Sequence, residues 1–516
     1  MKIIYKMSAL VLGFAMAFSL PANAQGSAAA LGESNLARQG MLIEGLDSMF
    51  VKGSAGPLLK RLAPDFSVGA YSHQTAINCL KTIASRYHCD SIRLKAVQEI
   101  AGKQQLHLQL YPKGKAPVES FAYANKEFQL MYLDLFDQLY GMNRYQSSKL
   151  VAKIPFETEH GSIVLKVKIN GSQQVLRLLF DTGADGIALK ESLADSIGLK
   201  RSSEQNASVV GGQMKISISE GNVLQLGDFE WKDQRIAIFK EMGKDVDGIL
   251  GNGLAKKYIT KVDFDLKELS LYDFGDYTYP QPGVAVPVTV PSGLFIIPGV
   301  LGVTAGQSLP GSFVFDSGAA YHLICFRPFV KQHRLLVGGF KSEYHSSTTS
   351  MGISTPTFSG KASTFAFSHM PEIKNMPVSL MAGGGQSEDW KPGFDGSIGI
   401  RLISRYNFTI NLQRKEIYFS PNKSYAFPYD FSIGSYLFGF DLDGSLRVQG
   451  LLTEENPAIS LKAGMKVSSI NGLSAVKLLK DRNLLNKMLE LPEGTKYLVE
   501  TAQEGKSIKD QLVKTY

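Results

Sequence analysis

The chain has 516 residues, of which 44% are hydrophobic and 20% are charged, so it has enough apolar side chains for several globular domains. Its formal net charge of +8 is modest for this length, and no block of Lys and Arg indicates a nucleic-acid partner. Three cysteines, an odd number, exclude a disulfide-based scaffold.

The first 24 residues have the pattern of a bacterial secretory signal peptide. Lys2 and Lys6 give a basic start, Ser8 to Leu20 gives an apolar core, and Ala22-Asn23-Ala24 gives a cleavage site. A membrane anchor would need a longer apolar run than this one, which ends at Pro21. We therefore expect an exported protein, periplasmic, secreted or associated with the cell surface, with no integral membrane segment once the signal is removed.

Residues 25–148 are expected to form a separate module, since they contain no catalytic motif. Helical spacing at Asn35–Phe50 and Thr75–Arg86 precedes stretches of alternating apolar and polar residues, which predicts a small α+β domain. The order of elements resembles the NTF2-like folds. Cys79 and Cys89 lie in this module, and they either form a disulfide in an oxidising compartment or remain two reduced, buried thiols.

An Asp-Thr-Gly triplet ends a strongly apolar run in the region 151–279. Leu178-Leu179-Phe180 predicts a buried strand, so Asp181 would lie in the tight loop at its end. One such triplet alone could be an ordinary turn. A second apolar segment that ends in glycine, Asp247-Gly248-Ile249-Leu250-Gly251, follows further along the same region.

The region 281–425 repeats this arrangement. Phe313-Val314-Phe315 leads into Asp316-Ser317-Gly318, and Asp395-Gly396-Ser397-Ile398-Gly399 follows later. The two apolar-Gly segments begin an ungapped match at an offset of 148 residues, whereas the Asp triplets lie 135 residues apart, so the second region has 13 extra residues between its motifs. The matching stretch predicts a short helix and a β-hairpin in each region, and an internal repeat of this kind is hard to obtain by chance.

These four motifs resemble those of the aspartic proteases, which carry two facing Asp-Thr/Ser-Gly loops, each crossed by a hydrophobic-hydrophobic-Gly segment called the psi segment. The resemblance implies a mainly β protein with a two-lobed aspartic-protease fold of retropepsin-like or pepsin-like type. Lobe 1 would span residues 151–279 and lobe 2 would span residues 281–425, each built as a β-barrel.

The resemblance makes Asp181 and Asp316 the catalytic pair. Two carboxyl groups a few ångströms apart share one proton, because like charges that close cannot both ionise. One then acts as a base on a water molecule while the other donates a hydrogen bond to the scissile carbonyl.

The resemblance also assigns supporting roles around this pair. Thr182 and Ser317 would lock the two loops together, and Gly183 and Gly318 would allow the close approach of their backbones. The residues that would form the two psi segments are Ile249, Leu250, Gly251, Ile398 and Gly399.

Val210, Gly211 and Gly212 lie between two stretches with strand-like alternation, which predicts a β-hairpin. In the retroviral branch of the family, a glycine-bearing hairpin at this place is the flap that closes over the substrate, and a flap needs a hinge and a glycine tip. These three residues are therefore either a flap tip or an ordinary β-turn.

Residues 431–516 resemble a PDZ domain, with Lys480–Leu489 as its groove helix. The residues that correspond to its carboxylate-binding loop and first strand are Leu437, Phe438, Gly439 and Phe440. PDZ domains bind extended peptides by adding a strand to an edge. We therefore expect a peptide C-terminus or a partner protein at this groove.

Taken together, these patterns predict an exported aspartic endopeptidase, a hydrolase that cleaves peptide or protein substrates without a metal or other cofactor. Because one chain carries both Asp loops, we expect a monomer. Two departures mark the second region: Ala320 stands opposite Asp185, and Ser397 replaces the first apolar residue of the psi segment. The alternative is a catalytically inactive peptide-binding protein on the same fold, which the presence of both Asp triplets disfavours.

Overall fold

The computed structural model describes residues 23–159, 161–210, 212–240, 242, 246–350, 353–383, 390–452, 456–503 and 506–515, so most of the predicted signal segment lies outside the described residues. The chain divides into two compact units. The first contains the described residues up to Phe66 together with Leu80–Leu133, and the second contains Ser67–Cys79 and the chain from Asp134 onward. Among the described residues, no helix combines the length and the apolarity needed to span a membrane.

The chain up to residue 139 contains helices followed by antiparallel strands. Its elements are, in order, α1 Asn23–Phe50, α2 Gly56–Leu59, β1 Ser67–Val68, β2 Tyr71–Ser72, α3 His73–Arg86, β3 Cys89–Ile100, β4 Lys103–Pro112, β5 Val118–Ala124, β6 Leu130–Leu133 and α4 Asp134–Leu139. Strands β3 to β6 form an antiparallel sheet in chain order. Leu106, Leu108 and Leu110 are fully buried at alternate positions of β4, the period of a strand with one covered face. Cys79 and Cys89 are free, buried thiols.

The next stretch, residues 150–272, is called the first half below. Its elements are β7 Leu150–Pro155, β8 Glu157–Glu159, β9 Ser162–Ile169, β10 Leu176–Asp181, β11 Ile187–Lys190, α5 Glu191–Ser196, β12 Ser203–Val209, β13 Gly212–Leu226, β14 Phe229–Phe239, β15 Gly248–Gly251, α6 Gly253–Lys257, β16 Ile259–Asp263 and β17 Glu268–Tyr272. Eight described strands form one sheet in the order β12-β13-β14-β11-β15-β10-β9-β8.

Residues 284–421, the second half, repeat this order. Their elements are β18 Val284–Pro287, β19 Ile296–Gly302, β20 Leu309–Phe315, β21 Leu323–Cys325, α7 Arg327–Gln332, β22 Ser342–Ser350, β23 Ile353–Phe367, β24 Ile373–Met381, β25 Gly396–Ile398, α8 Ile400–Ile403, β26 Tyr406–Asn411 and β27 Glu416–Pro421. The described strands of its sheet run β22-β23-β24-β21-β25-β20-β19, which matches seven of the eight strands of the first-half sheet, and β8 has no counterpart among them. The predicted helix and hairpin are present in both halves.

A third sheet joins the two halves. It runs β18-β27-β26-β16-β17-β7, and its central pair sets Val262 of the first half opposite Phe408 of the second. Phe315, Phe408 and Phe419 are nearly inaccessible to solvent and contact one another with ring centroids 5.1 to 6.5 Å apart. Each such burial contributes about 1.5–3 kcal/mol. Because hairpins from both halves build this sheet, the two Asp loops are held at fixed positions.

The C-terminal region has a hydrophobic core of its own. Its elements are β28 Phe431–Ile433, β29 Tyr436–Phe440, β30 Leu446–Leu451, β31 Val467–Ile470, β32 Leu473–Ser474, α9 Ala475–Lys480, α10 Arg482–Leu489, β33 Lys496–Gln503 and β34 Lys506–Val513. The described strands form two sheets, β28-β29-β30 and β32-β31-β33-β34. Leu485 and Met488 of α10 face the core. The chain as a whole is mainly β, and this prediction is confirmed.

Candidate active site

Each half delivers one aspartate at the end of a buried strand. In β10, Leu178 and Phe180 are fully buried while Leu179 is not, so the alternation of a strand carries the chain to Asp181. Strand β15 runs parallel beside it and sets Gly251 opposite Asp181. In the second half, β25 runs parallel to β20, and the Asp316 N–H donates to the carbonyl of Ile398 over 3.0 Å. The predicted psi segments therefore lie directly beside the two loops.

The apolar psi residues support the loops from behind. Leu250 and Ile398 are fully buried, and Ile249 is 8% exposed. A Cβ atom at Gly251 would stand 2.2 Å from the Gly186 carbonyl oxygen, and one at Gly399 would stand 2.2 Å from the Tyr321 carbonyl oxygen. Only glycine fits these positions, because the chain that follows each aspartate crosses there.

Four reciprocal hydrogen bonds lock the two Asp loops together. The Thr182 hydroxyl donates to the Phe315 carbonyl (2.6 Å) and accepts from the Ser317 N–H (2.9 Å). The Ser317 hydroxyl donates to the Phe180 carbonyl (2.7 Å) and accepts from the Thr182 N–H (3.0 Å). Both side chains are completely buried, so water cannot replace these bonds. The two hydroxyls therefore link the loop of the first half to the loop of the second.

The loops approach so closely that no side chain fits between the carboxyl groups. A Cβ atom at Gly183 would stand 2.4 Å from Asp316 Cγ, and one at Gly318 would stand 2.2 Å from Asp181 Cγ. The Gly183 N–H donates to Asp181 Oδ1 over 2.8 Å, and the Gly318 N–H donates to Asp316 Oδ1 over 3.1 Å. The Asp181 and Asp316 carboxyl groups also hydrogen-bond each other. The structure thus brings the predicted pair together.

The electrostatics of the pair favour a shared proton. Burial, then the Asp316 charge and hydrogen bond, raise the pKa of Asp181 well above its usual value. Burial also raises the pKa of Asp316, although hydrogen bonds from Asp181 and Ser397 act against this rise. Both residues keep partial contact with solvent, so a water molecule can reach them. Two carboxyl groups this close share one proton over the pH range between their two ionisations.

Asp185, the third carboxylate of the first loop, has a different environment. It forms an ion pair with Lys256 of α6, and Lys256 is 7% exposed. Burial lowers the pKa of Lys256 while Asp185 acts in the opposite direction. Ala320 offers no such pairing in the second half. The sequence singled out Asp185 as unmatched but gave no signal for its partner, because the two residues are 71 positions apart.

The hairpin predicted around Val210, Gly211 and Gly212 is formed by β12 and β13. Val209 pairs with Gly212, so residues 210 and 211 make the tip, and Gly211 lies outside the described residues. Val210 packs against a cluster of the second half made by Ile324, Phe326 and Met381. The tip of the first-half hairpin therefore reaches across to the other half.

A second hairpin at the equivalent place in the second half was not predicted. Strands β22 and β23 pair up to Ser350 and Ile353, and the tip at residues 351–352 lies outside the described residues. A Cβ atom at Gly212 would stand 2.9 Å from Ile353 Cδ1, so the two hairpins approach each other. Strand β22 is rich in Ser and Thr. The pattern that could have predicted this hairpin is the alternation that sets Thr355 and Thr357 on one face of β23, where both side chains are buried.

The expected carboxylate loop of the C-terminal region is not an open loop. Leu437, Phe438, Gly439 and Phe440 lie in β29, which pairs with β28 on one side and β30 on the other. Phe431 stands opposite Phe438, with their rings stacked 5.7 Å apart. The edge at which a peptide would add a strand is therefore taken by the chain itself. These four residues are not part of the site around Asp181 and Asp316.

Comparisons with known proteins agree with this geometry over part of the chain. Residues 165–254 match the family model described as Aspartyl protease, a range that contains Asp181 and the first psi segment. A search of curated proteins gave no match. Among solved structures, an aspartic proteinase from Irpex lacteus superposes with a TM-score of 0.36 at 12% identity, over 54% of this chain and 98% of that one, a likeness too weak to add to the argument. The family match and the paired Asp loops support a proteolytic function of the aspartic type, and hence a hydrolase.

Proposed function

We propose that the chain is an exported, single-chain aspartic endopeptidase. The observation that carries the proposal is the pair of interlocked loops, which leave Asp181 and Asp316 within hydrogen-bonding reach of each other and of solvent. A protein that only held peptides would not need two carboxyl groups packed so closely that a single Cβ atom cannot fit between the loops. Burying two carboxyl groups side by side lowers the stability of the fold, so their presence favours a function that uses the shared proton.

The proposed reaction is hydrolysis of a peptide bond by a water molecule held between the two carboxyl groups. The ionised carboxyl group takes a proton from the water, and the water oxygen bonds to the carbonyl carbon of the substrate. The protonated carboxyl donates its hydrogen to the carbonyl oxygen, which gives a tetrahedral diol. The carboxyl group that took the proton from water then gives it to the amine nitrogen as the carbon–nitrogen bond breaks, and one hydroxyl of the diol returns a proton to the other carboxyl group. No covalent enzyme intermediate forms.

The remaining parts of the proposal concern the surroundings of this pair. The hairpins β12–β13 and β22–β23 act as flaps that hold an extended peptide over the aspartates. The C-terminal region is a PDZ-type module whose peptide edge is occupied in cis by Phe431–Ile433. Residues 1–24 direct the chain to the periplasm or the outside of the cell.

A peptide library analysed by mass spectrometry tests the proposal. The wild type and the Asp181→Asn variant are incubated with the library between pH 3 and pH 8, and peptide binding is measured in parallel. We expect new peptide ends with the wild type only, while both proteins bind peptides. Binding by the wild type with no cleavage at any pH would favour the inactive peptide-binding alternative.

A further inference from the structure

The two halves of the site differ in one side chain beside the aspartates. In the first half, Ala188 of β11 pairs with Ile249, and in the second half Ile324 of β21 pairs with Ser397. Ser397 is 1% exposed, and its hydroxyl donates to Asp316 Oδ2 over 3.1 Å. An isoleucine side chain has no donor, so Ile249 cannot give Asp181 a matching bond.

The other hydrogen bonds to the two carboxyl groups are matched between the halves. In each loop, Oδ1 of the aspartate accepts the N–H of the glycine two positions later, at 2.8 Å for Asp181 and 3.1 Å for Asp316. The bond from Ser397 is therefore the asymmetric one. A hydrogen bond donated to a carboxyl group stabilises its ionised form.

Tyr321 is a second difference between the halves. The Gly251 N–H donates to the carbonyl of Gly186, five residues after Asp181, whereas the Gly399 N–H donates to the carbonyl of His322, six residues after Asp316. The second loop thus has one extra residue in the stretch that contains Tyr321. The Tyr321 phenol interacts with the Ser397 hydroxyl.

These contacts place two hydroxyl groups in series. A serine hydroxyl has a single hydrogen to donate, and Ser397 directs it to Asp316 Oδ2. It can therefore only accept a hydrogen bond from Tyr321. A bond donated by the Tyr321 phenol would fix the rotation of the Ser397 hydroxyl, and the bond from Ser397 in turn stabilises the ionised form of Asp316.

We propose that Ser397, oriented by Tyr321, is a positioning residue that keeps the negative charge of the pair on Asp316. This assignment rests on the proposed function and gives the two aspartates separate roles. Asp316 is the base that takes a proton from the attacking water. Asp181 holds the shared proton and donates it to the carbonyl oxygen of the substrate.

The charges around the pair agree with these roles. The titratable groups that face Asp316 among the described residues are Asp181 and Tyr321. Burial and the charge of Asp316 raise the pKa of Tyr321 well above its usual value, so the phenol stays a donor throughout the range in which the site would work. The same two causes raise the pKa of Asp181, while Ser397 opposes the rise at Asp316.

The test is the pH profile of kcat/KM for the Ser397→Ala variant. The acid limb of the profile reports the first ionisation of the pair, which needs the charge on Asp316. Loss of the donated bond should move this limb up by about one pH unit. The alkaline limb should stay in place, because Asp316 is already ionised on both sides of it. A purely structural role of Ser397 would lower the rate without moving one limb alone.

Three further variants sharpen this test. Ser397→Thr keeps the hydroxyl and should restore the wild-type profile. Tyr321→Phe removes the orienting group and should move the acid limb in the same direction by a smaller amount. The matched control is Ser359→Ala, which removes another buried serine hydroxyl, bonded to Ser379 over 2.8 Å in the same sheet. A Ser397→Ala profile that superposes on the wild type, or an equal shift in Ser359→Ala, would overturn the assignment.

A direct titration separates this assignment from the proposed function. Carboxyl carbon NMR of the full chain should show a lower apparent pKa for Asp316 than for Asp181 in the wild type. In Ser397→Ala the difference between the two pKa values should be smaller. An unchanged difference between the two pKa values would contradict the role of Ser397 even if the wild type cleaves peptides. A wild type that cleaves nothing would end the proposed function, and the titration would still decide where the charge lies.

Discussion

At the scale of single residues, the Thr182 hydroxyl links the two Asp loops. It bridges the Phe315 carbonyl and the Ser317 N–H at a position with no exposure to solvent. Thr182→Val keeps the shape but leaves both groups unpaired. We expect the free energy of unfolding to fall by about 2–6 kcal/mol, since each of the two buried unsatisfied groups costs about 1–3 kcal/mol.

Denaturant unfolding at pH 7 measures this loss. The matched control is Thr349→Val, because Thr349 is an exposed strand residue in β22. The control should change the free energy of unfolding by less than about 0.5 kcal/mol. Equal stability of Thr182→Val and the wild type would contradict the interlock described above.

His322 makes the stability of the fold depend on pH. It is 4% exposed, its Nε2 finds no hydrogen-bond partner among the described residues, and burial lowers its pKa to about 3. Asp430 opposes this shift, whereas Arg405 and Arg401 add to it. Between pH 6.5 and pH 3 the unfolded chain therefore binds a proton that the folded chain does not. Stability is present above pH 6.5 and is lost as the pH falls through this window.

The variant His322→Gln isolates this effect. Between pH 7 and pH 4, the wild type should lose about 3 kcal/mol more unfolding free energy than the variant. The raised pKa of the aspartate pair acts in the opposite direction, but it is common to both proteins and cancels in the difference. Parallel stability curves for the two proteins would show that His322 is protonated in the fold.

Most catalytic-loop residues could be predicted because each motif is contiguous in the sequence. Asp181, Thr182 and Gly183 are neighbours, and so are their counterparts. The contact between Ser397 and Asp316 joins residues 81 positions apart, so the sequence could only mark Ser397 as a departure from an apolar pattern. The proposed role of Ser397 depends on the parallel pairing of β20 and β25, which sets the second psi segment beside the Asp316 loop.

At the scale of elements, the hairpin β12–β13 is the part of the site that depends most on contacts across the two halves. Val210 at its tip is half-buried against Ile324, Phe326 and Met381. Val210→Asp places a charge in this apolar contact, which costs about 1–3 kcal/mol when the hairpin closes. If the hairpin is a flap, KM should rise roughly tenfold with a smaller effect on the unfolding free energy.

Steady-state kinetics on one cleavable peptide measures this change. Val337→Asp is the matched control, because Val337 is 74% exposed and should tolerate a charge without effect on KM. An unchanged KM in Val210→Asp would mean that the hairpin tip does not contact bound substrate, and the ordinary-turn interpretation would stand.

Prediction of elements succeeded where apolar and polar residues alternate and failed where they do not. The β12–β13 hairpin and the duplicated helix and hairpin follow from such patterns. The β22–β23 hairpin was not predicted because its outer strand, β22, consists largely of Ser and Thr. The pairing of β28 with β29 was not predicted for another reason. Nothing in the sequence indicates that Phe431 and Phe438 stand opposite each other, and only the fold shows it.

At the scale of the whole molecule, buried charges join the second half to the segment that leads into the C-terminal region. Arg401, 9% exposed, donates to both oxygens of Asp430, and Arg405 donates to the carbonyls of Phe427 and Pro428 at 2.7 and 2.8 Å. Breaking such a buried pair costs about 3–5 kcal/mol. Arg401 follows the second psi segment directly. The sequence predicted two separate domains here but gave no indication of the buried charges between them.

The two Asp loops belong to one chain, and the sheet that contains β16 and β26 keeps them together. A homodimer of single-loop chains would lose its site on dilution. This chain should not, because neither half has to find a partner. Its activity per molecule is expected to be constant over the whole concentration range.

The most direct test of a catalytic pair within one chain is a cleavage assay with Asp181→Asn, Asp316→Asn and an equal mixture of the two. Each variant should fold like the wild type by circular dichroism and cleave nothing, since one carboxyl cannot act as both base and proton donor. The mixture should be equally inactive, because each chain carries one defective loop in its own site. Cleavage by either variant, or recovery of activity in the mixture, would contradict a catalytic pair built from Asp181 and Asp316 of the same chain.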